Sequence, residues 1–311
     1  MLDAPIATTL LRLAWPNLLM LMAQSSTGLI ETWFLSKLGT DVLAGTALVI
    51  PVLMLMQNMS QGAMGGGISS AVARALGGGR SREANELVLQ AVVLNGILGM
   101  IFSLALFAFG PQLYRAMGAD GNALAAALTY SNFLAAGLAL LWVMNALASV
   151  VRGTGNMLLP GVVICGGALL LVPLSPSLIF GLGPFPALGV AGAGLALVSY
   201  YAGGVLVLGW YCLSGRNPAR LQKGKVQWPL MRSILSVGGL ATLNPLLTNG
   251  LIASMTALIG AYAGTAALAG YGTAARVEYL VMPIAFGIGA PLVAMVGANI
   301  GAGQLQRATR I

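Results

Sequence analysis

The sequence predicts an all-α polytopic membrane protein, and three observations carry that class. Of its 311 residues, 58% are hydrophobic and only 7% charged, against about 25% charged in an ordinary soluble domain. Apolar runs long enough to cross a bilayer recur along the whole length, giving a mean hydropathy of +0.89. The breaks between runs are short and combine glycine, proline or charge. Lipid offers no hydrogen bonds to a backbone, so each such run must be a helix. Soluble enzymes and nucleic-acid binders are excluded on these grounds.

Eight spans follow, at roughly residues 13 to 37, 44 to 73, 85 to 109, 124 to 147, 157 to 181, 187 to 213, 233 to 259 and 268 to 297. The leading stretch MLDAPIATTLLRLAWPNLL has an acid before its first arginine and no small-residue cleavage site after a short apolar core. It reads as the approach to a retained first span, not a removed leader. KLGTD closes the first span, RALGGGRSREAN the second and PQLYRAMGADGN the third; RGTGN, GPFPALG and SGRNPARLQKGKVQWP close the next three. Pro16, Pro51, Pro245 and Pro283 fall inside spans, where each frees a carbonyl and permits a bend.

Charge then orients the spans. Arg12, Arg74, Arg80, Arg82, Arg152, Arg216, Arg220, Lys223, Lys225, Arg232, Arg307 and Arg310 fall on one side, whereas only Lys37 and Arg115 fall on the other. Cytoplasmic loops collect Lys and Arg, so both termini are expected in the cytoplasm of a cell (inner) membrane protein, and the formal charge of +8 records topology instead of an anionic partner. There is no histidine, and the two cysteines, Cys165 and Cys212, sit in or beside apolar runs. That removes disulfide frameworks and Cys/His metal sites. Gly77, Gly78 and Gly79 are followed by no Lys-Ser or Lys-Thr, so they form a turn and not a phosphate loop; no cofactor is expected.

The chain also repeats itself. KLGTDVLAG resembles AYAGTAALAG, and MGGGISSAVARALGGGRSREA resembles GIGAPLVAMVGANIGAGQLQRA about 224 residues later, pairing Gly77 with Gly301 and Gly79 with Gly303. Six spans separate the copies, which makes this a parallel repeat of the kind that builds two halves around a transport path.

Together GLIETWFLSKLGTDVLAG, SSAVARALGGGRSREA, ALASVVRGTGNMLLP, LSPSLIFGLGPFPALGVAGAG and VGANIGAGQLQRA resemble the multidrug and toxic compound extrusion (MATE) family, over essentially the whole chain. The resemblance implies a twelve-helix secondary antiporter of two six-helix lobes, expelling cationic or amphipathic organic compounds in exchange for protons or sodium. It divides the chain into a six-helix lobe at residues 1–214, a basic cytoplasmic linker at 215–232 and the first two helices of a second lobe at 233–311. On that reading this is a piece of a longer protein.

A charge near the bilayer centre costs on the order of 3 kcal/mol, so intramembrane ionisable groups are candidate functional residues. Three qualify: Glu31, about two turns before the outer end of the first span, and Arg276 and Glu278 in the eighth. Glu31 takes the place of the family's first-helix acid, so the resemblance assigns it ion coupling; a snorkelling interfacial carboxylate is the alternative. Glu278 suits either substrate or proton binding or a structural pair, and Arg276, two residues away, points elsewhere. Sodium needs several oxygen ligands. The positions that the resemblance aligns with the family's first-lobe sodium ligands are Leu171, Ser175 and Leu197, which favours a proton. Gln24, Thr27, Gln57, Gln61, Asn244 and Asn249 are candidate cavity residues, with interhelical hydrogen bonding as the alternative. Two rivals stand beside the antiporter: a lipid-linked glycan flippase, which would need several cationic cavity residues, and a non-transporting fragment.

Overall fold

A computed structural model describes residues 2, 4–262 and 285–311. The described residues form helices and no strand: α1 (Ile6–Ser36), α2 (Thr40–Gln57), α3 (Gly65–Gly77), α4 (Ser81–Ala116), α5 (Gly121–Gly153), α6 (Leu158–Phe180), α7 (Val190–Leu213), α8 (Trp228–Ala241), α9 (Leu243–Tyr262), α10 (Ala285–Gly301) and α11 (Leu305–Arg310). A π-helical stretch, Asn58–Met64, joins α2 to α3 without a break. By length and composition, seven of the described helical segments can cross a membrane.

Several expected spans differ from what is found: α1 begins at Ile6 instead of about residue 13, and α4 runs to Ala116 instead of about 109. The seventh is divided, with α8 ending at Ala241 and α9 starting at Leu243. Pro245 explains the break: its ring would collide with the carbonyl four residues earlier, which is that of Ala241, and it has no N–H to give. The fourth span continues beyond the expected residue 147 to Gly153, and every residue from Met144 to Gly153 is buried. Of the eighth expected span, residues 268–284 lie outside the described residues.

The helix α5 is the centre of the bundle. It packs against α2, α3, α4 and α7, while α1 lies along α6. Its last third is buried all round, with Leu141, Trp142, Met144 and Leu147 shielded from solvent, as expected of a helix without a polar face. The rim is the reverse. Met100, Leu104 and Phe109 of α4, Leu169 and Leu170 of α6 and Leu206 of α7 are each more than half exposed. In water such a surface would be a defect; in a bilayer it is the surface that lipid covers.

The repeat is visible in the backbone. Gly79 and Gly303 both have positive φ, +71° and +77°, a conformation that glycine adopts at little cost. Gly79 N–H donates to Leu76 O at 3.0 Å and Gly303 N–H to Ile300 O at 3.1 Å; Arg80 N–H to Ala75 O and Gln304 N–H to Asn299 O are both 2.9 Å. The two copies also pack on one another. A Cβ at Gly77 would strike the Ala298 carbonyl, and one at Gly301 would strike that of Arg74. Arg74 and Ala298 are themselves repeat counterparts, so α3 and α10 meet in the reciprocal manner of a two-fold interface. Ala73 and Gly297, also counterparts, face each other there: a Cβ on Gly297 would lie 2.9 Å from that of Ala73.

The basic stretch between α7 and α8 lies against α4. Arg220 N–H donates to Asn85 Oδ1 at 2.7 Å, Gln90 Nε2 donates to Lys225 O at 2.9 Å, and Gln227 N–H returns to Gln90 Oε1 at 3.1 Å.

Candidate functional site

Near the far end of α1, Glu31 is held by a neighbour that sequence reading overlooked. The buried Tyr130 of α5 donates its hydroxyl to Glu31 Oε1 at 3.1 Å, and Tyr201 of α7 lies within electrostatic reach of both. A crevice of about 10 Å³ opens beside the carboxylate, lined by Ile30, Glu31, Phe34, Leu171, Val172 and Ser175. That is room for about one water. Leu171 and Ser175 thus stand beside Glu31, and Leu197 is buried in α7. Ser175 Oγ is buried with no hydrogen-bond partner. Among the described residues the local chemistry is one carboxylate, the phenols of Tyr130 and Tyr201 and the Ser175 hydroxyl in a wall of carbon, enough to hold a proton and poor in ligands for a metal ion.

A second cavity, of about 320 Å³, lies between α1, the π stretch, α3, α5 and α10. Its wall includes Asn17, Gln61, Ser69 and Arg152, with Leu21, Phe286 and Val293 among its apolar residues. Asn17 Nδ2 donates to the carbonyls of Phe286 and Gly287, both at 3.2 Å, and so pins α10 to α1. Gln57 Nε2 donates to Gln61 Oε1 at 2.7 Å. That bond shows that the pair shares a face, and π-helical stretches recur at functional sites. Asn145 Nδ2 donates to Ser60 Oγ at 2.8 Å and fixes the same stretch to α5.

The two cavities gather some of the expected residues and leave others out. Glu31 lines the first and Gln61 the second. Gln57 meets Gln61 but is not a wall residue. Gln24 lies beside Tyr200 of α7 and lines neither cavity. Asn244 is exposed in the first turn of α9 and lines neither cavity. The side chains of Thr27 and Asn249, and the whole of Arg276 and Glu278, lie outside the described residues. Arg152, counted from sequence as a loop charge, is instead buried in the last turn of α5 and faces the larger cavity. The signal for it was weak: an arginine two residues from a glycine turn looks the same whether the helix stops before or after it.

Comparison with known proteins agrees with this architecture. The family model described as MatE matches residues 16–177 and 241–311. The protein of Shewanella oneidensis named FAD transporter is 29% identical over 99% of this chain and 68% of its own length. The probable multidrug resistance protein NorM of Deinococcus radiodurans is 30% identical over 99% of this chain and 69% of its own. For the probable NorM of Thermotoga maritima the values are 29%, 96% and 64%. Among solved structures, an outward-facing multidrug resistance MATE family transporter of the MOP superfamily superposes with a TM-score of 0.87 at 23% identity, covering 99% of this chain and 69% of that one. The chain therefore spans about two thirds of the length of the relatives it matches.

Proposed function

This chain belongs to the MatE family, and from that premise we propose that the protein is a secondary active antiporter that exports amphipathic organic compounds, with Glu31 carrying the coupling proton. The observation that carries the reading is the Glu31 crevice. A carboxylate held by a single phenol, with room for one water and walls of Leu171, Val172, Ile30 and Phe34, can gain and lose a proton without recruiting other ligands. In the proposed cycle Glu31 is protonated from the outside, α1 shifts against α5 and α6, substrate leaves outward, and the inward-facing state releases the proton. Neutralising the carboxylate weakens its hold on the Tyr130 hydroxyl, since hydrogen bonds to ionised groups are the stronger ones. That is the local event able to bias α1. The protein sits in the cell membrane with both ends of this chain in the cytoplasm, supported by the distribution of Lys and Arg along the loops.

The test uses the full-length protein in proteoliposomes loaded with a fluorescent organic cation. A pH gradient alone should drive its movement. Movement driven by a sodium gradient without a pH gradient would overturn the proton assignment.

A further inference from the structure

We propose that the cavity in front of Arg152 is a subsite for the anionic group, a carboxylate or phosphate, of a water-soluble organic substrate; this rests on the exporter reading for its cargo. The polar side chains of the wall divide into engaged and unengaged. Asn17 is bound to two carbonyls of α10, Gln61 to Gln57, and Ser69 Oγ donates to Ser149 O at 2.8 Å. Arg152 differs: among the described residues Nε has no hydrogen-bond partner, and Nη2 meets only the thioether of Met20 at 4.0 Å, a weak acceptor. The residue is 4% exposed. The ion pairs found among the described residues, Arg80 with Glu83 and Arg82 with Glu86, lie elsewhere, at the start of α4.

A buried guanidinium with no counter-charge among the described residues and only a thioether as acceptor is costly. The negative end of the α5 dipole offsets part of that cost, but it engages none of the donors just named. What a guanidinium fork satisfies best is a pair of oxygens on one anionic group. The cavity supplies the space for the rest of such a molecule. Its volume, about 320 Å³, falls at the lower end of ligand pockets, which run from about 300 to 1,000 Å³. Gly66 and Gly289 leave open space where a Cβ would stand, while Phe286 and Val293 offer apolar surface. Because arginine keeps its proton throughout the physiological range, this subsite reads the charge of the cargo and takes no part in proton exchange.

The experiment compares a carboxyl-bearing rhodamine with its methyl ester, which share one cationic ring system and differ by a single negative charge. Binding to the full-length protein in neutral-lipid nanodiscs is followed by fluorescence anisotropy. The acid should bind about tenfold more tightly than the ester. Arg152→Gln should bring the acid down to the affinity of the ester and leave the ester unchanged, and Arg152→Lys should restore part of the difference. If Arg152→Gln does not fold, Gly66→Leu, which fills the cavity without removing a charge, should abolish binding of both probes at unchanged thermal stability. Equal binding of acid and ester to the parent protein, an acid preference that survives Arg152→Gln, or unaltered binding to Gly66→Leu overturns the proposal. Loss of the acid preference in phosphatidylglycerol nanodiscs assigns Arg152 to a lipid headgroup and also overturns it. An intact acid preference in a protein that moves neither probe removes the exporter reading and leaves the subsite standing; export of both probes without a preference does the opposite.

Discussion

Glu31 and Arg152 are both charged side chains withdrawn from water inside the same bundle, yet the structure surrounds them in opposite ways. Glu31 has a phenol bound to it and space for about one water. Arg152 Nε has no partner among the described residues, and the side chain faces a cavity of about 320 Å³. Along α1, the wall of the larger cavity at Asn17 is fourteen residues from Glu31, about 21 Å at helical rise. The contrast teaches how a membrane protein can hold two buried charges for two purposes. A carboxylate can be neutralised, so a tight crevice around it suits a proton; a guanidinium cannot, so it suits a partner that brings its own negative charge.

The contrast can be broken at several points. The largest effect is expected from Glu31→Gln, which should lower proton-driven export about a hundredfold, roughly 2.7 kcal/mol, while rhodamine acid binding stays at the parent value. Export measured at parental rates in this variant would remove Glu31 from the coupling step. Tyr130→Phe should have a smaller effect, about tenfold on export, because it deletes one hydrogen bond to a charged group, worth about 1.5–3 kcal/mol before relaxation. A loss as large as that of Glu31→Gln would mean the tyrosine does more than hold the carboxylate. The smallest effect is a coupling energy. If the two sites act independently across roughly 20 Å, combining Glu31→Gln with Arg152→Gln should change rhodamine acid binding by no more than about 0.5 kcal/mol beyond Arg152→Gln alone. A larger coupling would show that one site senses the other.

Much of this was legible in the sequence, and the limits fall at particular residues. Glu31 stood out because a lone acid in a long apolar run has few explanations. Leu171 and Ser175 were placed beside it by motif resemblance, and both line its crevice. Tyr130 was not found, because an aromatic in a membrane helix carries no mark of which neighbour its hydroxyl will meet. Arg152 was misread as a loop charge because the end of α5 lies six residues beyond the end of its clearest apolar run, where Met20 of α1 and the packing of α3 cover it. Asn244 lies in an apolar run, and the structure places it exposed in the first turn of α9, away from the two cavities described.

The sequence by itself determined the solvent of this protein, the order of its described spans, and its repeat. All three are written as one-dimensional patterns: run length, the short polar breaks between runs, and matching glycines such as Gly79 and Gly303. Only the tertiary structure decided which charges are partnered. That depends on side chains such as Tyr130 and Glu31, 99 residues apart in the chain, arriving within hydrogen-bond distance. It depends equally on Arg152 meeting, among the described residues, only a thioether, and neither outcome follows from spacing along the chain.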